Sequence, residues 1–191
     1  TIGQIINEIS YVKNELMDKE DFKSEVLTSD EFISVYNSYE EYKEKMNKID
    51  FDDMLIKTYE LLKSNKRALD RIRSVYRYIL VDEFQDINKV QFEALKLIAN
   101  PSNNIFVVGD DDQSIYGFRG SDGECFQKML RDYKDTKVFY LNVNYRCKDC
   151  IVKASQSLIS KNKYRLEKIE NNSQIIINNI YFHIFVFYIK I

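Results

Sequence analysis

Adjacent carboxylates at Asp82 and Glu83, followed by Gln85 and Asp86, close the short apolar run Tyr78-Ile79-Leu80-Val81. Such a pair suits a Mg²⁺ site, because that ion keeps several waters and is held by one or two carboxylates plus substrate phosphates. One carboxylate can hold the metal, directly or through water, while the other orients or deprotonates an attacking water. The same acids also suit the start of a helix, where the dipole favours negative charge. A second polar segment, Gly109 to Gly120, reads GDDDQSIYGFRG. Its Gln113 both donates and accepts, which fits a group touching a phosphate oxygen and a water. Tyr116 and Phe118 stand two apart, so in extended chain they face the same way. Beside Arg119 they form a platform for unpaired bases, each stack contributing about 1–3 kcal/mol whatever the base. The alternative is that both rings anchor the loop in the core. Asp110–Asp112 lacks the alternating spacing and closing Glu of a calcium loop. A third segment, Asn142-Val143-Asn144-Tyr145-Arg146, supplies Arg146 as an ion-pair partner or phosphate clamp. An arginine in that role raises phosphoryl-transfer rates by about 10³–10⁵. Tyr145 beside it can stack on a nucleotide base.

These segments need a scaffold that ends three elements at one edge. Tyr78–Val81, Ile105–Val108 and Val138–Leu141 read as buried strands, with helices at Asn88–Ala99 and near Asp122–Tyr133 between them. Asp149 is expected to cap a further helix with Ile151, Val152, Ala154, Ser155, Leu158 and Ile159 inside. Alternating strands and helices imply an α/β fold with a parallel sheet, whose ligands bind beyond the carboxyl ends of the strands. That topology places the three polar segments side by side. The first third is helical: Ile2, Ile5, Ile6, Ile9, Val12 and Leu16 recur at helical spacing, as do Phe32, Val35, Tyr36, Tyr39, Tyr42 and Met46. Phe51, Leu55, Tyr59 and Leu62 follow Asp50 as N-cap. The tail, Ile175–Ile191, is aromatic and β-branched, and is expected to be a strand cut off from its partners or sequence foreign to the fold.

Composition narrows the classes. In 191 residues, 45% are apolar and 30% charged, with 28 Lys+Arg against 30 Asp+Glu. That excludes a wholly disordered chain, a collagen-like one and a polytopic membrane protein. A net charge of −2 shows no global basic excess, so any nucleic-acid contact is local. Three cysteines do not make a disulfide framework, and a reducing, cytoplasmic setting with no membrane contact is expected. Cys147-Lys148-Asp149-Cys150 is a lone C-x-x-C, short of the four ligands of a zinc site. Cys125 and His183 are unsupported candidates for the remainder.

Ile79 through Asp86 resembles the Walker B motif (motif II) of the UvrD/Rep/PcrA-type superfamily 1 DNA helicases. GDDDQSIYGFRG resembles their motif III, and Leu141 through Arg146 their motif IV. Ile49-Asp50-Phe51-Asp52-Asp53-Met54-Leu55 is similar to a segment they carry ahead of motif II. The resemblance covers roughly Lys48 to Arg165 and implies ATP and Mg²⁺ as cofactors and single-stranded or partly duplex DNA as partner. By position, it implies that Asp82 coordinates Mg²⁺, with Glu83 beside it activating the hydrolytic water. Gln85 and Gln113 would sense the γ-phosphate and couple it to DNA. Tyr116, Phe118, Arg119 and Phe51 would contact DNA, Phe118 standing where the family usually has Trp. Tyr145 would stack on adenine, and Arg146 would reach the γ-phosphate. The implied fold is a partial RecA-like sheet with flanking helices. Its parts are a helical accessory subdomain over 1–50, the C-terminal part of the first RecA-like ATPase domain over 51–168 and a divergent apolar tail over 169–191.

The departures are equally specific. No G-x-x-x-x-G-K-[ST] loop occurs, nothing matches the adenine-reading glutamine motif, and nothing after Arg165 resembles a second RecA-like domain. Cys147 stands where the family usually has a small hydroxyl residue. The chain opens on Thr1 and is expected to be the middle of a helicase or a truncated gene product. Activity would then need the missing segments or a partner chain. The leading expectation is part of an ATP-driven single-strand DNA translocase or helicase. The alternative is an inactive piece that at most binds single strands or a partner weakly. A metal-dependent nuclease built on Asp82, Glu83 and Asp110–Asp112 is the remaining reading.

Overall fold

The computed structural model describes residues 1–114, 125–141, 146–161 and 184–189. They fall into two compact units: Thr1–Tyr76 with Ile87–Asn100, and Arg77–Asp86 with the described residues from Pro101 onward.

The first unit is helical. It holds α1 (Ile2–Asn14), α2 (Ser29–Lys45), α3 (Phe51–Ser64), α4 (Lys66–Val75) and α5 (Lys89–Ala99). Local sequence sets most of these starts. Thr28 with Glu31, Asp50 with Asp53 and Asn88 with Gln91 form reciprocal capping boxes at α2, α3 and α5. Asn65 both ends α3 and caps α4 through its oxygen on Ala68 N. The periodic apolar residues then pack: Ile9, Val12 and Phe32 are buried, with Ile5, Phe22, Leu27, Tyr36 and Tyr39 against them. Leu62, Leu69, Phe92 and Ala99 are also buried, where α3 meets α4 and α5. This unit runs on through Asp50 into α3 and α4.

The second unit carries a four-stranded sheet in the order β1-β2-β4-β3. The strands are β1 (Ile79–Val81), β2 (Ile105–Gly109), β3 (Thr136–Leu141) and β4 (Ile184–Ile189). Strands β1 and β2 are parallel, Val81 opposite Val107. The expected parallel sheet holds for β1 and β2, and the tail corrects the remainder. β4 is not an orphan strand: it lies antiparallel between β2 and β3, with Gly109 opposite Phe185 and Leu141 opposite Ile184. Its β-branched and aromatic sequence suits an interior strand. Consequently β2 and β3 point the same way without touching.

Strand β1 is also not buried on both faces, since Leu80 is 73% exposed. It is an edge strand with one ladder partner among the described residues. The core of this unit is Phe84, Ile105, Val107, Cys125, Phe126, Met129 and Val152. Helix α6 (Cys125–Asp132) contributes three of these. Helix α7 (Asp149–Ile159) is capped by Lys148, not Asp149, which instead sits in the first turn 2.5 Å from Lys153 Nζ. Of its expected inner face only Val152 is fully buried, and Ile151 and Leu158 are exposed. No helix of the described residues is long and apolar enough to cross a membrane.

Candidate functional site

The carboxyl ends of β1 and β2 lie next to each other, as the parallel register requires. Chain leaves β1 by a sharp turn. Glu83 adopts φ 50°, the left-handed region that a non-glycine residue rarely enters. Its amide donates to Asp82 Oδ1 at 2.9 Å, which offsets part of that cost. The turn leaves both carboxylates exposed and starts a 3-10 turn over Phe84–Asp86 that sends Phe84 and Gln85 inward. Backbone held in a sparsely populated region is a frequent companion of function.

Gln85 is 2% exposed and joins the first polar segment to the second. Its Nε2 donates to Glu83 Oε2 at 2.7 Å, and its Oε1 accepts the Asp110 amide at 2.9 Å. The Ser114 hydroxyl donates to the Gln85 carbonyl at 3.3 Å. Gly109 makes this approach possible. A Cβ there would collide with Gln85 Oε1 and stand 2.9 Å from both the Phe126 ring and the Phe84 amide nitrogen. Phe84 and Phe126 pack edge to face, 5.2 Å between centroids, and Cys125 Sγ donates to the Phe84 carbonyl. A rigid aromatic floor therefore supports the turn that presents Glu83.

Asp110 is buried and caps the 3-10 turn over Asp111–Gln113. It accepts from Asp112 N at 3.1 Å and from Gln113 Nε2 at 2.9 Å. The three adjacent aspartates bring their oxygens close together, but Asp110 serves its own backbone there. Gln113 is exposed at the end of that turn.

Mg²⁺ fits the first segment. Asp82 and Glu83 offer exposed hard oxygen donors, and among the described residues neither makes an ion pair. Asp86 Oδ1 is buried without a hydrogen-bond partner. Burial, then the charge of Glu83, raises the Asp86 carboxyl above its ordinary range. An oxygen-rich, underneutralised edge of this kind is what a hard cation completes.

The third expected segment is only partly in view. Arg146 is exposed just past the end of β3. β3 ends at the same edge as β2, but β4 stands between them. The strand ends that lead into the second and third segments are therefore not adjacent, since β4 puts β3 about 10 Å from β2. Tyr116, Phe118, Arg119 and Tyr145, expected at DNA and adenine, lie outside the described residues, as does His183. Cys125 is buried against Phe84, so it is no ligand partner for the exposed Cys150. Phe51, in the first unit, is 87% exposed at the first position of α3.

Sequence reasoning missed the left-handed Glu83 and the burial of Gln85. Neither has a local signal, because a Glu is not the residue type that announces positive φ. It also did not separate helix α4, whose Leu69, Ile72 and Val75 carry a short helical pattern behind the capping Asn65.

The sequence has a family counterpart. Residues 3–134 match the family model described as the UvrD/REP helicase N-terminal domain, and the chain belongs to this family. Curated relatives agree. The chain is 39% identical over 162 residues to the ATP-dependent DNA helicase Rep of Buchnera aphidicola, covering 84% of this chain and 25% of that protein. It is 40% identical over 138 residues to DNA helicase II of Haemophilus influenzae, covering 72% of the chain and 19% of the relative. It is 38% identical over 165 residues to the ATP-dependent DNA helicase PcrA of Staphylococcus epidermidis, covering 85% and 23%. The chain thus spans between 19% and 25% of the length of these relatives.

Proposed function

We propose that this chain is the part of an ATP-dependent single-strand DNA translocase or helicase that activates the hydrolytic water and relays nucleotide state. The observation that carries the reading is the Gln85 bridge, which ties the Glu83 carboxylate to the Asp110 backbone across two strand ends. In this reading a displacement of Glu83 passes through Gln85 to the second polar segment, whose sequence continues to Tyr116, Phe118 and Arg119. The printed activities of Rep and PcrA support the same assignment.

In this reading Asp82 is the Mg²⁺ ligand, assisted by Glu83. Bound Mg²⁺ would neutralise developing charge on the transferring phosphoryl group. Glu83 is held by Gln85 to receive a proton from water at its carboxylate. Gln113 would contact a phosphate oxygen, with Arg146 at the γ-phosphate and Tyr145 at adenine. Phe51, Tyr116, Phe118 and Arg119 are the DNA contacts. Residues 51–168 are read as the RecA-like ATPase part, 1–50 as accessory and 169–191 as a divergent tail. A cytoplasmic location goes with this reading.

A second reading, favoured by the lack of a G-x-x-x-x-G-K-[ST] loop among these 191 residues, is a piece that binds single strands without turnover. ATP turnover by the chain, with and without single-stranded DNA, separates the two. DNA-stimulated turnover abolished by Glu83→Gln supports the first reading. Binding of DNA with no turnover supports the second. Turnover that survives Glu83→Gln overturns the role of Glu83.

A further inference from the structure

The first turn of α3 is fastened by side chains of two other helices, α1 and α2. Lys13 Nζ, from the end of α1, donates to Asp53 Oδ1 at 2.5 Å, Asp50 Oδ2 at 3.1 Å and Glu40 Oε1 at 3.2 Å. Lys43 Nζ, from α2, donates to Asp53 Oδ2 at 2.6 Å and Asp50 Oδ2 at 2.8 Å, and lies 2.9 Å from Glu40 Oε1. The Tyr39 hydroxyl donates to Asp50 Oδ2 at 3.0 Å. Asn14 Nδ2 donates to Asp52 Oδ1 at 2.7 Å, and Asn14 Oδ1 accepts from Asn88 Nδ2, the cap of α5, at 2.7 Å. Asp50, Asp52 and Asp53 are therefore each held by side chains of other helices. Phe51, the remaining residue of the turn, is the one left 87% exposed.

Stability alone does not account for this arrangement. Desolvating two ammonium and several carboxylate groups costs most of what their attraction returns, and apolar replacements of a whole buried network are often as stable. What such a network supplies is register, because only one packing of the helices brings all of these groups together. A helix N-terminus otherwise frays, and a large ring there would sample many orientations.

We infer that Lys13, Lys43 and Asn14 are positioning residues for a single-strand base contact at Phe51. They fix the backbone on both sides of the ring, so a base stacks on a surface already ordered and the ordering cost at binding falls. The inference rests on the reading of Phe51 as a DNA contact.

The chain has no tryptophan, so Phe51→Trp introduces a single indole fluorophore at the site. The experiment measures the fluorescence anisotropy of that indole and the affinity of the 191-residue chain for a dT16 oligonucleotide, with far-UV circular dichroism as the folding control. Phe51→Ala is expected to weaken dT16 binding about fivefold to a hundredfold, the range of one lost stack. Lys43→Met in the Phe51→Trp background is expected to lower the indole anisotropy and weaken dT16 binding about threefold to tenfold, part of that stack. Lys43→Arg should restore both. Asn14→Ala, which leaves the lysines in place, should lower both readouts less, and it decides the matter if Lys43→Met does not fold. Unchanged anisotropy and affinity in a folded Lys43→Met or Asn14→Ala variant overturns the positioning role. Unchanged affinity in Phe51→Ala, or no binding by the parent chain, overturns the Phe51 reading itself.

Discussion

Two groups of acids, one in each compact unit, meet opposite fates. Asp50 and Asp53, with Glu40, surround the ammonium groups of Lys13 and Lys43, and both lysines and Asp53 are buried. Asp82 and Glu83 are exposed and, among the described residues, in no ion pair, while Asp86 keeps a buried oxygen without a partner. The first group is neutralised and used to lock helices. The second, among the described residues, has no cation paired with it at the strand edge. Similar side chains thus serve architecture where cations from other helices reach them, and stay exposed where none among the described residues does.

The ionisation behaviour separates the groups in the same way. Burial pushes the Asp50 and Asp53 carboxyls up, but hydrogen bonds from Lys43 and Lys13 outweigh it and hold both below their ordinary range. Burial likewise opposes the charge of Lys43, and hydrogen bonds to Asp50, Asp53 and Glu40 hold its ammonium above the ordinary lysine range. At Asp86 burial prevails and the shift is upward. Burial, with Glu40 next, also pushes the Tyr36 phenol up to about 12, so it stays neutral beside the network.

The sharpest way to break the contrast is to remove one buried acid. Asp53→Ala removes the most buried acid of the network and leaves the ammonium groups of Lys13 and Lys43 with Asp50 and Glu40 alone, so its cost should approach the roughly 3–5 kcal/mol of breaking a buried pair. A large fall in the thermal midpoint is expected, measured by circular dichroism. A fall no larger than for a surface substitution would show that the network is not desolvated.

Acid titration comes next. Asp50 and Asp53 have depressed folded values, so their contribution is complete at neutral pH and is lost as pH falls below about 4, the ordinary carboxylate value. Lys43 has a raised value, so its contribution persists at neutral pH and is lost only above about 10. Asp86, raised in the fold, has the opposite sign to its fellow acids, and its protonation favours the native state. Thermal midpoints between pH 7 and pH 3 should fall in the parent chain and flatten in Asp50→Asn.

The smallest effects belong to the strand edge. Asp86→Asn removes a charge that the fold disfavours and should raise stability by about 0.5–1 kcal/mol, a gain typical of a site kept for function. Glu83→Gln, exposed and still able to accept from Gln85, should stay within about 0.5 kcal/mol of the parent. Equal destabilisation by Asp53→Ala and Glu83→Gln would erase the distinction between the two groups.

Much of this was legible in the chain itself. Helices α1, α2, α3 and α5 follow from apolar spacing and from capping residues within a few positions, both local properties. Asp82-Glu83, Gln113 and Arg146 stood out because strand ends in an α/β pattern are where such residue types do chemistry. The exposure of Leu80 and of Leu158 was not legible, since an apolar residue shows its type and not what covers it.

The sequence by itself determined which residues start and stop the elements, and it placed the reactive types at the ends of β1, β2 and β3. The tertiary structure alone decided which acids are neutralised, which glutamine is buried and which strand fills the sheet. Lys13 reaches Asp53 across 40 positions, and Gln85 reaches Asp110 across 25. β4 joins β2 from the far end of the chain. Pairings over such separations leave no periodic or capping trace, because they depend on how distant elements pack and not on neighbours along the chain.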